Sequence, residues 1–290
     1  MDQLWVALLV RSDERTSFLA WKGARLEAGR DRPRTHYHTM AKTITETVTP
    51  GKIYSSFEKN PESVSLDFVS TGQATPVPAL PKSVTTLTMG SYIGRLSDIP
   101  EQIEVLELFS SIMIETLEGL HSGLKVLRLF SCESLHDLSG LPETVEELVL
   151  YDCDYVNLRT LPRMVRRLEL DTSIVDSETI LPPGTAPTEL ALNYPSEGSS
   201  FDLSSLTETR ALEIVTSDLP EDDTFELVKA PPHLAKLTIV NPKLGTKIPW
   251  IPSLVELSLS PKTPDQKSKV MTNGVFVADL EGYRKAWGQN

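Results

Sequence analysis

The sequence predicts a repeat solenoid, a stack of short parallel strands wound around one continuous core. Three observations carry this. A ten-residue unit, Leu-Pro-x-x-Val-x-x-Leu-x-Leu, recurs from Leu80 onward. Its central leucine falls at Leu87, Leu106, Leu127, Leu148, Leu168, Leu190, Leu212, Leu237 and Leu257, at intervals of 19, 21, 21, 20, 22, 22, 25 and 20 residues. Within each unit, leucines two apart point to the same side of a strand, so a single unit cannot bury them and must stack on its neighbours.

Residues 1–58 lack the repeat and read as a low-order N-terminal arm. Residues 1–39 hold seven Lys or Arg against five Asp or Glu, and the composition turns acidic near Met40. Either Met40 is the true start or the leading segment is a mobile arm; mass spectrometry of the native N-terminus separates the two. The repeat domain spans residues 59–262. SVSLDF is a possible first rung, with Leu66 lying 21 residues before Leu87 and Val64, Leu66 and Phe68 alternating as in a half-buried strand.

Clear copies follow as LPKSVTTLTM, IPEQIEVLEL, LHSGLKVLRL, LPETVEELVL and LPRMVRRLEL, then weaker ones as PGTAPTELAL, SLTETRALEI, APPHLAKLTI and IPSLVELSL. Proline at the second position fixes its own φ and lacks an N–H, which suits an irregular approach to the strand. Intervals near 21 leave little room there for a full helix. Residues 263–290 form a C-terminal cap: a polar connection through 261–274, then a strand and a short helix with Leu280, Tyr283 and Trp287 at helical spacing.

These units resemble the leucine-rich-repeat family, over about residues 60–262. The Leu-Pro opening is similar to the short repeats of bacterial effectors and to FNIP-type repeats, LPKSVTTLTMG coming nearest the latter. The resemblance implies an α/β-type solenoid, a curved horseshoe with a parallel sheet on its concave face and a mostly irregular convex side. It also implies an asparagine ladder five residues past the central leucine. Here that position holds Tyr92, Ser111, Cys132, Cys153, Ser173, Pro195, Ser217 and Pro242 instead. Cys132 and Cys153 therefore read as buried thiols filling equivalent places.

A net charge of -12 argues against nucleic acid as a partner, since phosphate binding needs a surplus of cations. The run from Trp5 to Val10 is far short of the roughly 20 apolar residues of a membrane span, and Asp2 and Arg11 flank it unlike a secretory signal. Two cysteines and the lack of a glycosylation sequon favour a cytoplasmic setting, with secretion of an effector as the alternative.

The sequence carries no nucleophile elbow, Walker loop, His-Glu-x-x-His, paired Cys-x-x-Cys or dinucleotide turn. His36 and His38 in the arm read as solvated rather than metal-binding. Gly119 to Lys125, GLHSGLK, reads as the approach to a repeat strand and not a phosphate loop. The expectation is a non-enzymatic module without metal or cofactor.

On the concave face, Thr85, Glu104, Lys125, Glu146 and Arg166 form one column and Thr88, Glu107, Arg128, Val149 and Glu169 another. Their alternating signs read as a self-neutralising ladder of exposed ion pairs. Three past the central leucine stand Phe109, Phe130 and Tyr151, an aromatic strip flanked by Gly90 and Asp171. Val105, Val126 and Val149 are expected beside it, with Arg128 and Arg167 nearby. An apolar patch with aromatic anchors and a charged rim is the pattern of a protein-binding surface. The chain is thus expected to be a monomer that binds a protein partner there. The alternative is a targeting scaffold of an effector or ubiquitin-ligase-type regulator, with the activity in the arm or in a partner.

Overall fold

A computed structural model describes residues 43–48, 62–68, 74–153, 156–171, 187–193, 199–216, 225–242, 246–260 and 270–289. Met40, His36, His38, Ser173, Pro195 and Ser217 lie outside the described residues.

The fold is a parallel β-solenoid. In chain order its elements are β1 (Thr43–Val48), β2 (Ser63–Phe68), β3 (Thr86–Gly90), β4 (Val105–Phe109), β5 (Val126–Phe130), β6 (Glu147–Tyr151), β7 (Arg167–Asp171), β8 (Glu189–Asn193), β9 (Ser199–Asp202), β10 (Ala211–Val215), β11 (Phe225–Lys229), β12 (Lys236–Val240), β13 (Glu256–Ser260), β14 (Val270–Thr272), β15 (Val275–Val277) and α1 (Leu280–Ala286). One 11-stranded sheet runs β1 to β8, then β10, β12 and β13. Every pairing between neighbours in it is parallel.

All nine marker leucines from Leu87 to Leu257 stand in register across this sheet. With the residue two further on they form the core: Leu106, Leu108, Leu127, Leu129, Leu148 and Leu150 are all fully buried. Each such side chain contributes roughly 1.5–3 kcal/mol through removal from water. The Pro-x-x-Val portion of the repeat is a β-turn. The N–H of Val84 donates to Pro81 O at 3.0 Å, Ile103 to Pro100 at 3.0 Å and Val145 to Pro142 at 3.1 Å. Proline stands at the turn's first residue, where only its carbonyl is needed, and the turn swings the valine into the core.

The strands end on a repeated corner. Ser91, Ser110, Ser131, Asp152 and Asn241, each four past a marker leucine, hold φ between 50° and 55°. This left-handed turn keeps the ladder going for one more bond, as Ser110 N–H donating to Phe130 O and Ser131 N–H donating to Tyr151 O, both at 2.8 Å, show.

Three sequence expectations need correction. The sheet begins at β1, within the segment read as an arm, and Thr43–Val48 pairs with β2 along its whole length. The register of β2 is shifted by two residues: Val64 stands opposite Leu87, and Leu66 opposite Met89. The C-terminal connection contains β14, which pairs antiparallel with β15. The return path between strands of the long sheet also becomes regular after β8. There β9 pairs parallel with β11, and bridges through Lys247 lead from Glu226 to Met271 of β14. Between β3 and β8 the only helical segments among the described residues are short 3-10 turns at Leu96–Asp98 and Leu158–Thr160.

The cap is an ordered unit. Asp279 caps α1 by accepting from Gly282 N–H at 2.7 Å. The fully buried Tyr283 hydroxyl donates to Pro249 O at 2.6 Å and accepts from Ile251 N–H at 2.7 Å. Trp250 lies against both Tyr283 and Trp287. No helix among the described residues is long and apolar enough to cross a membrane.

Candidate functional site

Side chains alternate along a strand, so those between the core leucines emerge on the opposite, outward face of the long sheet. Parallel in-register pairing lines them up in columns about 4.8 Å from strand to strand. Three columns result. One runs Thr86, Val105, Val126, Glu147, Arg167 and Glu189. The second runs Thr88, Glu107, Arg128, Val149, Glu169 and Ala191. The third holds Gly90, Phe109, Phe130 and Tyr151.

The three rings stack. Phe109 and Phe130 are 4.5 Å apart between centroids and 3° from parallel, and Phe130 and Tyr151 are 5.6 Å apart and 11° from parallel. Stacking follows from register alone, since aromatic residues at one column position are held near van der Waals spacing by the strands beneath. Phe109 and Phe130 are half-buried, whereas Tyr151 is 8% exposed and donates its hydroxyl to Glu169 Oε1 at 2.6 Å. The accessible part of the strip is therefore Phe109 and Phe130, with Tyr151 as its anchored end.

The valines separate. Val105 and Val126 are neighbours in the first column and half-buried, but Val149 belongs to the second column and is 4% exposed. The expected three-valine flank is thus two residues long, and Glu147 continues it.

Arg128 is a fork between columns. It donates to Glu107 Oε1 at 2.7 Å and to Glu147 Oε1 at 3.1 and 2.8 Å, while Thr88 donates to Glu107 Oε2 at 3.0 Å. Burial pulls the guanidinium pKa down, but the bonds to Glu147 and Glu107 outweigh it and leave the pKa raised. Arg167 reaches Glu169 at 3.4 Å and Glu189 at 3.3 Å, and its pKa is raised by those carboxylates against the same desolvation. Glu107 is 3% exposed, so the Arg128 network is closed and partly desolvated, unlike the exposed ladder the sequence predicts, whereas Arg167 joins the buried Glu169 to an exposed Glu189. Lys125 and Glu104, at 3.0 Å, do form such an exposed pair.

The sequence reading did not bring Asp67 to this site. With β2 in its true register, Asp67 stands opposite Gly90 at the end of the aromatic column. The signal was present in SVSLDF, had Val64 been taken as the marker. Asp67 has no hydrogen-bond or ion-pair partner among the described residues, and desolvation raises its pKa above the usual carboxylate value.

Cys132 and Cys153 are buried free thiols beneath the strip. Cys153 donates to Tyr151 O at 3.3 Å and Cys132 to Phe130 O at 3.8 Å, supplying the side-chain-to-backbone bonds at the corner. The GLHSGLK segment is a turn on the approach to β5, where Gly123 N–H donates to His121 Nδ1 at 3.1 Å. Among the described residues no group of three or more His, Cys, Asp or Glu is placed to hold a metal ion. Scans of protein-family models, curated proteins and solved structures return no match to this chain.

Proposed function

We propose that this chain is a leucine-rich-repeat-type recognition module that binds a protein partner on the outward face of its long sheet, the concave side of a horseshoe. The observation that carries the reading is the stacked, half-buried pair Phe109 and Phe130, held in place from below and rimmed by Val105, Val126 and the Arg128 fork. Pre-ordered rings lose little side-chain entropy on binding, and aromatic and Arg residues are the usual energetic anchors of interfaces. Arg128 and Arg167 hold that rim rigid and set its polarity.

The test is affinity capture with the intact protein beside a Phe109→Ala/Phe130→Ala variant, both shown folded by circular dichroism. Tyr151 is left in place because its bond to Glu169 is structural. Met164→Ala, 54% exposed on a turn between strands, serves as the control. A partner kept by wild type and control but lost by the double variant supports the reading; identical captures from all three overturn it.

A further inference from the structure

The aromatic strip ends in a gap. The rings stack along their column, so the face of Phe109 turned away from Phe130 is turned toward Gly90, which has no side chain to cover it. Beyond Gly90 comes Asp67, on the next strand. Its carboxylate leans into the gap, since a β-carbon placed on Gly90 would lie 2.9 Å from Asp67 Oδ1. Two strand spacings, about 9–10 Å, separate the β2 and β4 backbones. That leaves room for one flat group lying at about 3.5–4 Å from the ring and reaching the carboxylate.

We infer that this notch, floored by Gly90 and walled by the free face of Phe109 and the carboxylate of Asp67, seats the guanidinium of an arginine in a cationic peptide segment. The inference deepens the recognition reading above and rests on it. Three features select this occupant. A planar cation satisfies ring and carboxylate together, whereas an ammonium is a point charge that gains less from stacking. Asp67 has no partner among the described residues, so its charge is available. The cations of the outward face, Arg128, Arg167 and Lys236, are each already paired with carboxylates of that face, which outnumber them. The surface around the notch therefore attracts a basic segment rather than an acidic one.

The probe is a fluorescein-labelled peptide of alternating arginine and glycine, with lysine and citrulline counterparts, titrated into the full chain by anisotropy at about 0.15 M salt. The arginine peptide is expected to bind, the lysine peptide about fivefold more weakly, and the uncharged citrulline peptide more weakly still. Asp67→Asn and Gly90→Val should each weaken the arginine peptide by about fivefold or more. Val on a strand fills the notch, and its only close neighbour is the flexible end of Asp67, so the thermal midpoint of that variant should hold. Equal binding of arginine and lysine peptides, wild-type affinity in either variant, or no binding of the arginine peptide would overturn the notch. The two readings fail separately. If partner capture is lost in Phe109→Ala/Phe130→Ala but the notch variants bind the peptide unchanged, the face stands and the notch falls. If capture survives the double variant, the face reading itself falls.

Discussion

Between Leu87 and Leu168 successive markers are 19 to 21 residues apart, and the chain returns from strand to strand through turns and two short 3-10 segments. From Leu190 to Leu237 the intervals are 22 and 25, and the return path holds β9 and then β11, paired with each other. A few residues per turn thus decide whether the return path is a tight wrap or a second parallel ladder. The ladder then supplies the C-terminal closure. Through Lys247 it continues into β14, Met271 N–H donating to Thr246 O at 2.7 Å and Ile248 N–H donating to Met271 O at 3.1 Å. The long sheet is closed less completely at this end: Leu257 and Leu259 of β13 are only half-buried, where Leu148 and Leu150 are fully so. The tight half carries the aromatic strip because Phe109, Phe130 and Tyr151 stand at one column position on adjacent strands, where the second half, in the same register, has Asn193, Val215, Val240 and Ser260.

The contrast in burial predicts the largest effect. Leu148→Ala empties a site closed on both sides by neighbouring strands and should cost about 2–5 kcal/mol. Leu257→Ala, on a strand with one neighbour in its sheet, should cost less than half as much. Chemical denaturation of both variants measures the gap, and equal losses would mean that β13 is as enclosed as β6.

The cap predicts the next. Tyr283→Phe removes the acceptor of Ile251 N–H and the donor to Pro249 O, costing about 1–3 kcal/mol, read by the fluorescence of Trp250 and Trp287 during denaturation. Burial pushes the Tyr283 pKa up to about 12, from the ordinary 10.0. The neutral phenol is the folded form, so its stabilisation is complete below pH 10 and is lost as pH rises through about 12. Wild type should show this alkaline transition at the tryptophans and Tyr283→Phe should lack it. Arg128→Met tests the tight half at a similar or slightly smaller scale. It leaves the buried Glu107 with only Thr88 and should lower stability by about 1–2 kcal/mol, whereas Lys125→Met, in an exposed pair, should change it by less than about 0.5 kcal/mol.

The spacing of leucines made the long sheet legible, because a fully buried, two-residue alternation leaves only one register that hides it. It misplaced β2 because SVSLDF offers two apolar residues, Val64 and Leu66, and the preceding Pro61 stands at neither's six-residue spacing, the one that links proline to marker in the clear repeats. It missed β1 because TITETV contains no leucine and puts Glu46 at the position that Leu66 and Met89 take on the next strands. The second ladder was hidden for a related reason: SSFD of β9 has one apolar side chain, Phe201, and its burial against Phe225 depends on a neighbouring turn. At the candidate site the column positions were readable, but depth was not. Val149 and Tyr151 are closed off by what stands beside them, Glu169 bonded to Tyr151 and to Asn193, and a sequence column carries no measure of that.

A smaller effect than those at the cap and at Arg128 is expected where one corner is compared in the two halves. Ser110, at φ 50°, holds a left-handed conformation without a β-carbon's usual comfort there, and its backbone N–H still continues the ladder to Phe130 O. Glycine keeps that bond and relieves the clash while loosening the unfolded chain, so Ser110→Gly should raise stability by up to about 1 kcal/mol. Asn241 occupies the same corner at φ 55° after β12, but asparagine tolerates this region and here is also buried, 6% exposed. Asn241→Gly should therefore be neutral or destabilising in the same thermal assay. A gain at both corners would show that strain at the turn, and not the identity of the residue holding it, is common to the two halves.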